Sequence, residues 1–153
     1  MAKVINIIGS GSNVGKTYIM EGIIKELKSR GLSIATIKHD VHGFDIDKEG
    51  KDTYKHRKAG SETVIISSKN RLAMIKELKE ETDLQDIIKM TSDKDIILVE
   101  GYKKSNLRKI EVYRGICADI LEVGYENRTH CFICKRSGNS PQFLCEVSGC
   151  KIK

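Results

Sequence analysis

Apolar residues fall in short runs separated by polar stretches, and the spacing inside each run decides which element it can form. Val4-Ile5-Asn6-Ile7-Ile8 is a nearly continuous apolar run ending at Gly9, the pattern of a buried strand. From Lys16 to about Arg30 the period changes. Ile19, Ile23, Ile24 and Leu27 recur at spacings of three and four, with Glu21, Lys25, Glu26 and Lys28 between them, and Gly31 supplies a stop. This predicts an amphipathic helix. Residues 32–38 read as a second strand, closing a strand, helix, strand unit with a right-handed crossover expected.

From His39 to Gly60 the chain is polar, with Val41, Phe44, Ile46 and Tyr54 as its few apolar anchors. A long stretch of this kind inside a compact domain is usually functional. A helix is expected over 52–59, a strand at Thr63-Val64-Ile65-Ile66, and helical pieces over 71–80 and 83–90. The run from Asp95 to Val99 is apolar after its first residue, as suits a parallel strand buried on both faces. Lys109 to Arg114 alternates and reads as a strand near a sheet edge, with Ala118 to Val123 as another strand. Strands alternating with helices predict an α/β fold of three layers around a mostly parallel sheet.

Composition narrows the partners. The 153 residues lead us to expect one core, with no separate substrate lobe. Hydrophobic residues make up 39% and charged residues 31%, a globular balance, while aromatics are only 5%. The core should therefore be built from Ile, Val and Leu. Lys and Arg number 27 against 21 Asp and Glu, a formal charge of +6 that favours anionic ligands such as nucleotides or phosphorylated cofactors. The opening apolar run is too short for a signal-peptide core, and nothing approaches the roughly 20 apolar residues that cross a bilayer. A cytoplasmic protein without membrane contact is expected.

The strongest chemical signal is Gly9-Ser10-Gly11-Ser12-Asn13-Val14-Gly15-Lys16-Thr17, which follows a strand and opens a helix. That is the context of a phosphate-binding loop. Small residues let successive backbone N–H groups turn towards phosphate oxygens, and the helix N-terminus adds its unpaired amides. Lys16 would reach the β and γ phosphates, and the Thr17 hydroxyl would complete the shell of Mg²⁺. The usual first Gly, six residues before the Lys, is here Ser10, with a Gly one place earlier at Gly9. The string resembles the deviant phosphate loop of dethiobiotin synthetase and its relatives. A second piece, Ile96-Ile97-Leu98-Val99-Glu100-Gly101-Tyr102, puts Glu100 at the C-terminal end of a buried strand. There a carboxylate could hold Mg²⁺, orient a water, or simply cap a turn.

Two further motifs join these. Lys38-His39-Asp40 follows the second strand, and Asp45-Ile46-Asp47-Lys48-Glu49-Gly50-Lys51-Asp52 lies within the polar segment. With the phosphate loop and Val99-Glu100-Gly101-Tyr102-Lys103, they resemble the MobB family, molybdopterin-guanine dinucleotide biosynthesis protein B, over about residues 3–115. The resemblance implies a P-loop nucleoside-triphosphate-binding fold and a homodimer. It also implies a protein that binds GTP, hydrolyses it slowly, and assists a MobA-type guanylyltransferase in attaching GMP to molybdopterin. On it, Gly9, Gly11, Gly15, Lys16 and Thr17 map to the nucleotide loop, with Ser10, Ser12, Asn13 and Val14 between them, and Glu100 maps to the acidic residue after the second motif's strand. GTP rests on the resemblance alone, because no Asn-Lys-x-Asp string is present.

The residues also speak for themselves. Lys38, Lys48, Lys51, Lys55, Arg57 and Lys58 form a basic field suited to polyanions, and Asp40 is a candidate for Mg²⁺ or its waters. Asp45, Asp47 and Asp52 either hold loop geometry or pair with those cations. His39 and His42 suit a hydrogen bond to loop backbone better than a metal. Slow turnover is expected because no strong general base or arginine finger is evident; Arg57 and Arg71 would need a loop closure or a dimer contact to serve. A homodimer would form by pairing the expected edge strand at Lys109 to Arg114 with its copy.

Residues 126–153 read as a short appendage to a nucleotide-binding domain over 1–125. Cys131-Phe132-Ile133-Cys134 followed by Cys145 and Cys150 makes a complete tetrahedral set for Zn²⁺, with an iron-sulfur cluster or free thiols as alternatives. Two competing functions stand beside the adaptor. One is an ATP-dependent small-molecule kinase or ligase; the other is a metal-bearing nucleic-acid adaptor using the basic tail, although nucleic acid is not the expected partner.

Overall fold

The computed structural model describes residues 2–113, 130–137 and 140–144. In chain order the elements are β1 (Lys3–Gly9), α1 (Lys16–Ser29), β2 (Ile34–Lys38), α2 (Asp52–Lys58), β3 (Thr63–Ser68), β4 (Arg71–Lys76), α3 (Leu84–Lys89), β5 (Ile96–Glu100), β6 (Lys109–Tyr113), β7 (His130–Ser137) and β8 (Ser140–Leu144). They fall into two compact units, residues 1–39 with 88–153, and residues 40–87.

The first unit is built on a six-stranded sheet in the order β2-β5-β1-β6-β7-β8. Every pair is parallel except β7 with β8. The chain passes from β1 through α1 to β2 with β5 lying between the two strands, so the sheet has the α/β architecture that the alternating pattern predicts. Ile97, Leu98 and Val99 of β5 are fully buried, which is why this strand has no polar alternation. One sheet face carries Ile5 and Ile7 of β1, Ile96 and Leu98 of β5, and Ile110 and Val112 of β6. Against it packs the apolar stripe of α1: Ile19, Met20, Ile23, Ile24 and Leu27. Each fully buried aliphatic side chain here contributes roughly 1.5–3 kcal/mol. The helix ends where the sequence says it should. Gly31, at φ 78°, donates its N–H to the Lys28 carbonyl, and the Leu32 N–H reaches the Leu27 carbonyl. These two bonds form a Schellman motif, with Leu27 and Leu32 both packed against the core.

The second unit contains α2 and the antiparallel hairpin β3–β4. The expected helix over 71–80 is corrected here, because residues 71–76 form β4. Ala73, Met74 and Lys76 favour a helix by propensity, but a ladder running from Thr63 opposite Lys76 to Ser68 opposite Arg71 overrides it. Lys69 and Asn70 are the two residues left to make the turn. On one hairpin face Val64 is buried and Ala73 and Ile75 are half-buried. The opposite face leaves Ile65, Leu72 and Met74 more than half exposed.

The expected sheet edge at β6 is also corrected. This strand pairs with β1 on one side and β7 on the other. The alternation of Lys109 and Glu111 with Ile110 and Val112 distinguishes the two faces of the sheet and carries no information about its edge. The strand expected over 118–123 lies outside the described residues.

Candidate functional site

The residues leaving β1 make a tight loop whose form is dictated by two glycines for different reasons. Gly9 is buried at the strand end, where a Cβ would lie 2.7 Å from Val14 Cγ2 and 2.9 Å from Lys16 Cδ. Its requirement is space. Gly15 has φ 102°, a conformation that other residues rarely adopt, and it forms the N-cap of α1. With Asn13 at φ 57°, left-handed residues stand on either side of Val14, a backbone alternation of the kind that turns N–H groups to one side. Val14 is itself buried in the core and anchors the loop from below.

The N-terminus of α1 has no side-chain cap and no acidic residue in its first turn. Its amides and the positive end of its dipole therefore remain directed at the loop. Lys16, half-buried, places its ammonium 3.3 Å from the Gly11 carbonyl oxygen. Ser10 is tied to the sheet through its N–H to the Val112 carbonyl, while Ser12, Asn13 and Thr17 are exposed. Donors, a lysine, a hydroxyl and a cradle with no room for a Cβ together fit a chain of phosphates with a hard cation.

Sheet register brings two more of the expected residues to this end. Lys38 of β2, Glu100 of β5 and Ile7 of β1 are Cα partners across adjacent parallel strands. Strand residues alternate faces, so Glu100 and Lys38 continue the series through Leu98 and Thr36 on the α1 face, at the end where the loop lies. Asp95, at the opposite end of β5, has a structural task. Its Oδ2 accepts from the Ser33 N–H at 2.7 Å and the Ser33 hydroxyl at 2.6 Å, and these bonds hold its carboxyl below the usual aspartate range.

Sequence reasoning missed a cluster beside Glu100. The His39 N–H donates to the Glu100 carbonyl at 2.9 Å, and its ring stacks on Tyr102 at a centroid distance of 4.2 Å. Gly101 and Tyr102 both have positive φ, 97° and 45°. Asn6, fully buried in β1, donates its side-chain amide to the Tyr102 carbonyl and to Ser105 Oγ, each at 3.1 Å. The signal available was a polar residue inside an apolar strand, which the sequence shows only as an interruption.

Asp40 belongs to the second unit, where its carboxylate accepts the His42 N–H at 3.0 Å. The neighbouring acids have resolved roles. Asp45 accepts the Asp47 N–H at 2.9 Å, and Asp47 accepts the Thr53 hydroxyl at 2.7 Å. Arg57 lies among them, with Nε 3.1 Å from Asp47 Oδ2 in an ion-pair contact without hydrogen-bond geometry. Its terminal nitrogens reach Glu77 at 3.0 Å and Asp45 at 3.7 Å. Arg57 is thus paired with three acids of its own unit. Asp52 stands only 3.9 Å from Lys55.

Cys131 and Cys134 occupy β7, opposite Glu111 and Phe143 in the ladder, while Cys145 and Cys150 lie outside the described residues. Among the described residues no group of three or more His, Cys, Asp or Glu is placed to hold a metal ion. Nor is any described helix long and apolar enough to cross a membrane.

Residues 4–129 match the family described as molybdopterin guanine dinucleotide synthesis protein B. The chain belongs to that family. It is 42% identical over 107 residues to the molybdopterin-guanine dinucleotide biosynthesis adapter protein of Escherichia coli, covering 67% of this chain and 61% of that protein. A Methanocaldococcus jannaschii protein named as a putative adapter of the same kind is 30% identical over 112 residues, 72% of this chain and 44% of its own. The chain therefore spans about three fifths or less of the length of the curated relatives it matches. Bacillus subtilis MobB superposes with a TM-score of 0.69 at 24% identity, covering 96% of this chain and 86% of that one, a likeness of fold. A crystal structure of molybdopterin-guanine biosynthesis protein B matches at 30% identity and a TM-score of 0.60, over 73% of this chain and 70% of that one. Membership in the MobB family accounts for the P-loop fold and its mostly parallel sheet.

Proposed function

We propose that this chain is a cytoplasmic adaptor that binds GTP with Mg²⁺, hydrolyses it slowly, and assists a MobA-type guanylyltransferase in the guanylation of molybdopterin for a molybdenum or tungsten cofactor. The observation that carries the nucleotide part is the loop itself: the crowded Gly9, the left-handed Gly15 and the uncapped helix end, with Lys16 across its mouth. The adaptor part is supported by family membership and by the likeness to relatives named as adapter proteins.

In this reading the amides of residues 11–16 and the Lys16 ammonium bind phosphate oxygens. Thr17 and Glu100 hold Mg²⁺ or its waters, with Asp40 a further candidate from its place in the sequence. The cation would supply charge neutralisation between the phosphates. Lys38, in register with Glu100, adds positive charge at the same sheet end. Arg57 is held by Asp45, Asp47 and Glu77 and is not free to assist, in keeping with slow turnover.

Two parts of the proposal are separable. A homodimer is supported by the outward hairpin face of Ile65, Leu72 and Met74, which is an apolar surface of the kind that proteins cover. Zinc at Cys131, Cys134, Cys145 and Cys150 is supported by cysteine spacing alone, and metal analysis of the purified protein tests it. For the central reading, labelled GTP and ATP are titrated in Mg²⁺ against wild type and Lys16→Ala. Guanine-selective binding that the variant loses is the expected result. Adenine preference with acceptor-dependent ADP formation would sink the adaptor reading in favour of a kinase or ligase.

A further inference from the structure

The chain leaving Glu100 takes an unfavourable path. Gly101 at φ 97° and Tyr102 at φ 45° are consecutive left-handed residues, and the second is a large aromatic one. Such a residue persists only where its surroundings determine it. Three contacts do so. The Tyr102 ring stacks on His39 with an interplanar angle of 26°, and the Tyr102 carbonyl accepts hydrogen bonds from Asn6 Nδ2 at 3.1 Å and from the Ser105 N–H at 2.9 Å. His39 directly follows β2 and Asn6 lies in β1, the two strands that flank β5.

His39 is itself locked to this path. Besides its N–H bond to Glu100, its Cβ and carbonyl oxygen lie 2.9 Å and 3.2 Å from the position a Gly101 Cβ would occupy. Asn6 sits three residues before Gly9, and its Oδ1 finds no hydrogen-bond partner among the described residues. An apolar side chain at Asn6 would avoid burying that oxygen, so stability alone does not explain an amide there. What the amide does is tie the turn after Glu100 to the strand that feeds the phosphate loop.

We propose that His39 and Tyr102 are positioning residues whose stacked rings hold the turn after β5, so that Glu100 stays set for a cation at the phosphate loop. The proposal rests on the nucleotide reading above and deepens it. Carboxylates that hold a metal depend on the groups that fix their backbone and orientation, and Glu100 is followed, after Gly101, by the strained Tyr102. Asn6 acts as the second clamp from the other side of β5.

The test uses Tyr102→Gly, which accepts the left-handed backbone but removes the ring, Tyr102→Phe, which keeps the ring, and His39→Ala. Each is compared with wild type by thermal unfolding, by amide hydrogen exchange over residues 101–108 without nucleotide, and by GTP affinity with Mg²⁺ and with EDTA. For Tyr102→Gly and His39→Ala, exchange over 101–108 should rise and GTP affinity in EDTA should stay unchanged. The Mg²⁺ concentration giving half of the affinity gain should rise about ten-fold. Tyr102→Phe should behave as wild type. Unchanged exchange, an unchanged Mg²⁺ requirement, or a phenylalanine variant as impaired as the glycine variant would overturn the proposal. A wild-type protein that binds no nucleotide would instead overturn the nucleotide reading and the Mg²⁺ half with it, leaving the exchange data to decide whether the stack holds the turn.

Discussion

Gly9 and Gly15 lie in one loop yet fail differently when a methyl group is added. Gly9→Ala puts its Cβ against Val14 and Lys16, so Val14, buried and branched, must move and Lys16 with it. A loss of about 1–3 kcal/mol by overpacking is expected, together with weaker GTP binding. Gly15→Ala meets nothing within 4 Å, and its cost of roughly 1–3 kcal/mol comes from φ alone. Urea unfolding and GTP titration of both variants check the pair. Asp95 offers a pH test. Because the Ser33 bonds depress its folded-state pKa, they stabilise the fold above the ordinary aspartate value of about 3.9. That contribution is lost as pH falls from there through the depressed value. Ser33→Ala should lower stability at neutral pH and flatten its decline in acid, as read by unfolding midpoints across pH. The glycines were legible as a motif; the Ser33 pairing was not, since Ser33 and Asp95 are 62 positions apart.

Among the elements, α1 and β5 could be read directly, because a helix period with a glycine stop and an unbroken apolar run are local properties. β4 could not. Its residues favour a helix taken alone, and pairing with β3 decided the outcome. The segment before α2 is held by Arg57, whose side chain is 16% exposed, against Asp47 at 5%. Removing the cation leaves a nearly buried carboxylate unpaired. Arg57→Met should therefore cost about 3 kcal/mol, the low end for breaking a buried pair, since Thr53 still donates to Asp47. Hydrogen exchange should place the loss within residues 40–87, and a drop spread evenly over both units would contradict this account.

At the scale of the whole molecule, β6 is paired on both sides and offers no ladder to a second copy. The hairpin face is the surface a dimer would cover. Ile65→Ser with Met74→Ser should convert the proposed homodimer to monomer in analytical ultracentrifugation while leaving GTP affinity intact. A dimer that survives both substitutions would move the interface elsewhere.

By itself the sequence determined the phosphate loop, the helix it opens, the buried strand ending in Glu100 and the α/β class, since each rests on neighbours within a few residues of one another. Tertiary structure alone decided that residues 71–76 pair as a strand, that β6 lies inside the sheet, that Arg57 is held by three acids, and that His39, Tyr102 and Asn6 meet around the turn after Glu100. Those arrangements depend on which distant strands become neighbours, and neither periodicity nor composition encodes that choice locally.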